Sequence, residues 1–217
     1  LEPDGTVFEM TTGPGTEAWV PIRAVSPYLL HAVLAHEDAS FFVHHGFAPW
    51  SIRDALVRNL EAGRFVVGAS TVVMQLAKNL FLRREKTLAR KFQEVLLTWW
   101  LDSALTKAQI LELYLNVIEY GPGVYGLRNA SHHYFGREPA DLSPAESAFI
   151  ACILPSPKRF HGQFLRGALS PYLAGQMRAL LVHMNSRGRI DGTALQFGLD
   201  ELDRFAFVRE GEAPSSP

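Results

Sequence analysis

The sequence predicts a mainly α-helical fold, built as one domain. Apolar residues recur at helical spacing through most of the chain, alternating strand patterns are nearly absent, and capping residues stand where helices would begin. The chain has 217 residues, of which 47% are hydrophobic and 20% charged, so it can bury a substantial core. We assign residues 1–25 to a lead-in segment, 26–205 to the domain and 206–217 to a tail that we expect to be disordered.

The elements are predicted in order along the chain. The lead-in is rich in Gly, Pro and Thr, with one short strand predicted near 19–22. Ser26-Pro27 begins the first helix, Ser70-Thr71 caps the third, and residues 106–109 and 143–146 have the capping-box pattern. The predicted helices span 28–39, 50–61, 70–82, 87–105, 107–118, 124–134, 143–154, 171–186 and 191–204. Glycine or proline ends several of them, at Gly63, Gly121, Gly123, Gly136, Pro155 and Pro157.

The charge composition does not favour nucleic acid as a partner, but it favours a local anion site. The net charge is −1, so no global electrostatic feature favours nucleic acid as a partner. Between Lys78 and Lys91, however, six basic residues stand against a single acid, Glu85. Such a local basic cluster favours a specific anion site, although a solvated helix face would have the same composition.

The apolar runs argue against a membrane-spanning helix, and the cysteine content argues against disulfide and cysteine–zinc frameworks. No apolar run approaches the roughly 20 residues that span a bilayer. Because the chain starts at Leu1, we expect it to be part of a longer protein whose membrane anchor lies outside it. The single cysteine, Cys152, excludes an internal disulfide framework and a cysteine-based zinc site, and we expect it in the core.

The first candidate for chemistry is the acidic pair Glu37-Asp38, followed closely by His44 and His45. Glu37 is predicted near the C-terminus of a helix, where the helix dipole does not favour a carboxylate. That placement hints at a function, but a solvated loop of ordinary polar residues is the alternative.

The second candidate is the segment 68–79. On a helix that starts at Ser70, the side chains of Thr71, Gln75 and Lys78 share one face. A helix N-terminus preceded by Gly and flanked by hydroxyls favours phosphate, and a lysine two turns along adds charge. The segment is not a Walker loop, and an amphipathic helix with a polar face would also explain it.

The third candidate lies on the next predicted helix. Lys86, Arg90 and Glu94 follow one another at steps of four, and Lys91 adds another cation. Glu94 is either part of a surface ion pair or an acid held ionised beside a substrate. With Glu37 it suggests chemistry on a glycosyl diphosphate: one carboxylate takes a proton and the cations stabilise the leaving group.

Taken in order, these motifs resemble glycosyltransferase family 51, the peptidoglycan glycosyltransferase module of class A penicillin-binding proteins and monofunctional transglycosylases. The resemblance covers about residues 25–185. The segments that match the family's patterns are 37–46 (Glu-Asp-x-x-Phe-x-x-His-x-Gly), 68–79, 90–94, 107–116, 123–126, 134–136, 142–146 and 154–155.

The resemblance implies a lysozyme-like fold with a membrane-facing lobe. It also implies an enzyme that polymerises lipid II into β-1,4-linked glycan strands, with inversion at the anomeric carbon and release of a polyprenyl diphosphate. Its partners would be lipid II, the nascent glycan strand, the membrane surface and other cell-wall synthesis proteins, with no nucleic acid. It would work at the periplasmic or extracytoplasmic face of the bacterial cytoplasmic membrane.

The family's catalytic roles fall on three carboxylates. Glu37 would deprotonate the acceptor 4-hydroxyl, Asp38 would support it, and Glu94 would orient the donor diphosphate or a divalent metal, Mg²⁺ or Mn²⁺. The residues expected to bind the donor diphosphate are Ser70, Thr71, Gln75, Lys78, Lys86, Arg90 and Lys91.

The chain departs from the family pattern at Met74, Lys86, Asp102 and Ala48, where Gln, Arg, Glu and an acidic residue or Asn are usual. Met74 and Lys86 motivate one alternative, a scaffold that keeps the fold without catalysis. A lysozyme-like hydrolase is another, although it would not need the basic cluster.

Two apolar stretches also have alternative interpretations. In the family the region 47–69 is mobile and partly membrane-embedded, but packing against the core would account for its apolar residues equally well. We expect Trp99 and Trp100 to lie in the core rather than to face lipid.

Overall fold

The computed structural model describes residues 11–64, 70–82 and 87–207. Helices dominate these residues, as the sequence predicts, and the architecture is compatible with the lysozyme-like fold. The helices are α1 (Pro27–Glu37), α2 (Pro49–Glu61), α3 (Val72–Phe81), α4 (Leu88–Ala104), α5 (Lys107–Val117), α6 (Leu127–Phe135), α7 (Pro144–Ile153), α8 (Pro157–Arg166), α9 (Pro171–Ser186) and α10 (Gly192–Asp203). An antiparallel hairpin, β1 (Glu119–Gly121) with β2 (Val124–Tyr125), separates α5 from α6.

The chain divides into two compact units. The central unit is Glu37–Tyr114, and the terminal unit comprises the described residues before Glu37 and after Tyr114. The three motifs predicted to carry chemistry all lie in the central unit. In the part of the chain that the structure covers, no helix has the length and apolar character needed to cross a membrane.

The terminal unit is built around α7, whose residues are all buried. A helix that is buried on every side lies in the middle of a core, and α9 and α10 pack against α7. The capping box at its start is confirmed: Glu146 N–H donates to Ser143 Oγ at 3.1 Å, and Ser143 N–H donates to Glu146 Oε2 at 2.9 Å. Cys152 is buried here, as predicted.

The strand predicted near 19–22 is wrong. Trp19 and Val20 are buried, and a 3-10 turn follows at Ile22–Ala24. The hydrogen-bond partner of Val20 is a side chain and not another strand. Val20 N–H donates to Asn116 Oδ1 at 2.8 Å, and Asn116 Nδ2 donates back to the Val20 carbonyl at 2.9 Å.

Two helix predictions in the terminal unit also need correction. The helix expected at 124–134 starts at Leu127, because the hairpin occupies the residues before it. Gly126 joins the two with φ +79°, and a Cβ there would lie 2.9 Å from the Asn116 carbonyl oxygen. The predicted helices do not include α8, because a proline such as Pro157 often follows the end of a helix. Pro157 instead occupies the first turn of α8, where proline is tolerated.

In the central unit, α3 packs against α4. The apolar face of α3 is buried, but the buried stripe of α4 is narrow and partly polar, formed by Glu94, Thr98 and Leu101. Because Trp99 and Trp100 lie off this stripe, they are 64% and 52% exposed, and the prediction that they belong to the core is wrong.

Candidate active site

Glu37 ends α1 and is partly exposed. Its Oε2 accepts a hydrogen bond of 2.7 Å from Nε2 of Gln75, on the first turns of α3. The other end of the same amide, Oε1, accepts a hydrogen bond of 3.1 Å from the Tyr114 hydroxyl on α5. The candidate base is therefore held by a chain of two hydrogen bonds that runs across three helices.

Asp38 is buried beside the start of α3. Its oxygens lie 2.8 and 3.0 Å from Nε2 of His44, and Oδ2 accepts the Val72 backbone N–H at 3.1 Å. Val72 is the first residue of α3, whose unpaired N–H groups and dipole favour a carboxylate. Asp38 thus ties the segment after Glu37 to α3, and its support of Glu37 in catalysis stays a prediction.

Thr71 and Gly46 join the first two motifs to α4. The Thr71 hydroxyl donates to the Gly46 carbonyl at 2.7 Å and, as the N-cap of α3, accepts the Met74 N–H at 3.2 Å. Gly46 has φ +76°, and a Cβ there would lie 3.2 Å from Cγ2 of Thr98 on α4. The Thr98 hydroxyl donates to the Glu94 carbonyl at 2.7 Å, one turn earlier. These contacts connect all three sequence motifs.

Glu94 is 5% exposed and lies between two cations of its own helix. Nζ of Lys91 lies 2.6 Å from Oε1, and Nη1 of Arg90 lies 3.2 Å from Oε2. A buried carboxylate needs such pairing. The three side chains together carry a net positive charge, so this face of α4 can attract an anion.

A divalent metal does not fit at Glu94. Both carboxylate oxygens already accept from a cation, so a metal would have to displace Lys91 or Arg90 and lie next to the other. Mg²⁺ and Mn²⁺ prefer sites rich in oxygen ligands. Within the residues that the structure describes, no group of three His, Cys, Asp or Glu side chains could hold a metal ion.

The predicted donor-binding residues are distributed over α3 and α4. Gln75 is engaged at both ends of its amide, Lys78 is exposed at the end of α3, and Ser70 is exposed before the N-cap. Lys86 lies outside the described residues. Met74, at the position where Gln is usual, is buried at 8% exposure, so this departure adds an apolar contact to the core.

Asp102, another departure, anchors the loop that follows Glu37. Its side chain is nearly buried, with Nζ of Lys107 at 2.6 Å from Oδ1. The same ammonium lies 4.9 Å from the centre of the Phe41 ring, a cation–π contact. The shorter acid therefore still pairs with a cation and supports the loop.

Tyr114 has no predicted role in the site. It stands in the apolar stripe of the predicted helix 107–118, where its ring is expected in the core, and the ring is indeed 1% exposed. Its hydroxyl partner is 39 residues earlier in the chain. The signal that could have found it is general: a buried tyrosine hydroxyl needs a hydrogen-bond partner.

Comparison with known proteins identifies the family of this chain. The family described as transglycosylase matches residues 4–182. A biosynthetic peptidoglycan transglycosylase of Paraburkholderia xenovorans (strain LB400) is 44% identical over 168 residues, which are 77% of this chain and 68% of the relative. The protein of the same name from Nitrosospira multiformis is 42% identical, over 77% of this chain and 71% of the relative. The one from Acinetobacter baumannii (strain ATCC 17978) is 40% identical, over 81% and 76%. The chain therefore belongs to the transglycosylase family, and the resemblance of its motifs to that family is confirmed.

Proposed function

We propose that this chain is a peptidoglycan glycosyltransferase that extends glycan strands from lipid II, with Glu37 as the general base. The observation that carries the proposal is a partly exposed carboxylate held at 2.7 Å by Gln75, in a unit that also carries an ion-paired cationic face on α4. A base must be both accessible to its substrate and fixed in direction, and Glu37 meets both requirements.

In the proposed reaction Glu37 takes the proton of the acceptor 4-hydroxyl. As it does so, the oxygen of that hydroxyl attacks the anomeric carbon of the donor. The bond from that carbon to the diphosphate breaks, and the electron pair leaves with the polyprenyl diphosphate. Attack opposite the leaving group inverts the configuration and forms the β-1,4 linkage.

The leaving diphosphate would be stabilised by cations of α3 and α4. Lys78 is exposed, and Glu94 holds Lys91 and Arg90 in place. Nε of Arg90 is buried and has no hydrogen-bond partner among the described residues, and a phosphate oxygen would satisfy it. Lys86 and Ser70 are proposed to complete the set, with Thr71 capping the start of α3 and Gln75 holding Glu37.

The apolar surface of the central unit supports work at a membrane, where a lipid-linked donor resides. Many large apolar side chains of this unit are exposed. Two of them, Phe81 and Trp100, pack edge to face with their ring centres 6.2 Å apart. Exposed apolar groups of this size mark interaction surfaces. The set comprises Phe42, Val43, Trp50, Val57, Leu60, Leu80, Phe81, Leu88, Phe92, Val95, Leu96, Trp99 and Trp100. We place this surface at the extracytoplasmic face of the cytoplasmic membrane, with other cell-wall synthesis proteins as further partners.

A divalent cation, Mg²⁺ or Mn²⁺, stays a proposal for the reaction, but Glu94 is not its ligand. Comparing initial rates with added metal and with a chelator tests the requirement. If Glu94 pairs with its two cations and binds no metal, Glu94→Gln should lower the rate relative to wild type by the same factor with added metal and with the chelator.

Incubation with lipid II tests the proposed function directly. Wild type should form glycan polymer, and Glu37→Gln should lose at least about a hundredfold in rate, the lower range for general base catalysis. Glu17→Gln is the matched control, because it makes the same change at an exposed carboxylate of the terminal unit. Equal polymer from wild type and Glu37→Gln would contradict the proposal. Shortening of finished glycan without polymer would indicate the hydrolase, and no reaction at all the scaffold.

A further inference from the structure

We infer, given the proposed role of Glu37 as the base, that Tyr114 is a positioning residue for the reaction: its hydroxyl orients the Gln75 amide, and that amide orients the Glu37 carboxylate. The hydroxyl lies 3.1 Å from Oε1 of Gln75, and Nε2 of Gln75 lies 2.7 Å from Oε2 of Glu37. The three side chains come from α5, α3 and α1.

The chemistry of the three groups fixes the direction of this chain. An ionised carboxylate only accepts hydrogen bonds, so the amino end of the Gln75 amide must face Glu37. The oxygen end then faces Tyr114, whose hydroxyl proton must point towards it. Each group therefore determines the orientation of the next. Loss of the Tyr114 hydroxyl would leave the Gln75 amide, and with it the Glu37 carboxylate, less well oriented.

The physical need for Tyr114 lies in the flexibility of glutamine. The Gln75 side chain has three torsions, and the terminal one is broad, so the amide alone would hold a carboxylate loosely. Tyr114 is 1% exposed and its ring is held within the core, which places the hydroxyl with little freedom. Misplacing a reacting group by about 1 Å can cost about a hundredfold in rate, so the restraint bears on catalysis.

The same geometry gives Gln75 a different role from the donor contact that the sequence suggests. Both ends of its amide are engaged within the protein, by Glu37 and Tyr114. A residue that only positions the base acts on the chemical step and leaves substrate binding unchanged. Its loss should therefore lower kcat and leave KM for lipid II as it was.

Tyr114→Phe tests the inference, because it removes one oxygen and keeps the buried ring. We expect kcat to fall about tenfold and KM to stay within about twofold of wild type. Tyr120→Phe is the matched control. Tyr120 is fully buried, and its hydroxyl donates to the Leu115 carbonyl at 3.0 Å, so the same atom and one hydrogen bond are lost in the terminal unit. Both variants should lower Tm similarly, and only Tyr114→Phe should lower kcat.

A second variant tests the link between Gln75 and Glu37. Gln75→Glu replaces the donor by another carboxylate within hydrogen-bond distance, and two such groups share a proton. The acidic limb of the pH–rate profile should therefore move to higher pH. The conservative Gln75→Asn keeps the amide but withdraws it by one methylene, so it should lose kcat with an unchanged profile.

Three results would overturn the inference: wild-type kcat in Tyr114→Phe, an equal loss of kcat in Tyr120→Phe, or a raised KM with unchanged kcat. The proposed function is judged separately by Glu37→Gln. If Glu37→Gln is inactive while Tyr114→Phe is normal, the base assignment stands and only the role of Tyr114 fails. If Glu37→Gln is fully active, the base assignment itself fails.

Discussion

At the scale of single residues, the site is organised by carboxylates whose neighbours differ. Glu37 is held by a neutral amide and stays partly exposed, whereas Glu94 is buried between Arg90 and Lys91. A partly exposed carboxylate can reach a substrate proton, whereas a buried carboxylate that is paired with two cations cannot. This contrast supports Glu37 as the base and Glu94 as the residue that holds the cationic face of α4 in place.

Lys78 provides a prediction at this scale. Lys78→Ala should lower kcat/KM for lipid II at least about tenfold, because a charge near the leaving diphosphate would be lost. Lys78→Arg keeps the charge and should retain most of the activity, although its geometry differs. Steady-state kinetics on lipid II measure both variants, and a normal rate in Lys78→Ala would contradict the diphosphate assignment.

At the scale of elements, α4 serves two surfaces at once. Glu94, Thr98 and Leu101 form its buried stripe, and Trp99 and Trp100 lie on its exposed side. Exposed tryptophans are suited to a membrane interface, because the ring is apolar and its N–H can remain hydrated. The helix therefore supports the candidate site on one side and carries exposed aromatic side chains of the proposed docking surface on the other.

The proposed docking surface can be tested with a matched pair of aromatic residues. Trp99 is 64% exposed in the central unit, and Tyr172 is 63% exposed in the terminal unit. Trp99→Ser should weaken binding to phospholipid vesicles severalfold in co-sedimentation, since it removes a large apolar ring. Tyr172→Ser should bind as wild type does. Equal binding by all three proteins would exclude Trp99 from the surface.

At the scale of the whole molecule, stability depends on the core around α7. Burial raises the pKa of the Glu146 carboxyl above its ordinary value of 4.5, and the hydrogen bonds from Ser143 and the charge of Arg137 only partly offset this. Below pH 4.5 the folded and unfolded chains both keep the proton, and the stabilising contribution is complete. Between pH 4.5 and the higher folded pKa, Glu146 loses its proton in the unfolded chain but keeps it in the folded chain. The stabilisation that Glu146 provides therefore declines over this range and is absent above it.

Glu146→Gln should remove this dependence, because the amide has no proton to lose and can still form the capping box. The free energy of unfolding of the variant, relative to wild type, should therefore rise between pH 4 and pH 7. Urea unfolding at several pH values measures it, with Glu17→Gln as the control for an exposed carboxylate. A constant difference between variant and wild type across this range would contradict the prediction.

The sequence predicts most helices because their ends carry local signals. Ser143 with Glu146 marks a helix start within four residues, and Gly136 ends α6 in the left-handed conformation that glycine favours. Prediction fails where the hydrogen-bond partner that decides the structure is distant in the sequence. It also fails where one residue type fits two different structures. Asn116 replaces a strand as the partner of Val20 from 96 residues away, and Pro157 suits a helix start as well as a stop.

The candidate site shows the same division between local and distant information. The motif spacing identifies Glu37, Glu94 and the cations, and it predicts that Thr71, Gln75 and Lys78 share a face of α3. It could not show that the Gln75 amide turns towards Glu37 and Tyr114, because that depends on how three helices pack. Which residues touch substrate, as opposed to one another, stays a prediction.

The two-sided α4 has a consequence for how such a chain can vary in length. Each residue added to a helix rotates everything after it by about 100°. An insertion of one residue between Glu94 and Thr98 would therefore turn Thr98 and Leu101 away from the side of the helix that Glu94 occupies, and would carry Trp100 towards that buried side. Side chains along this helix can be exchanged one at a time, but its residue count between these positions has little tolerance. Natural insertions and deletions are expected in the connecting segments instead.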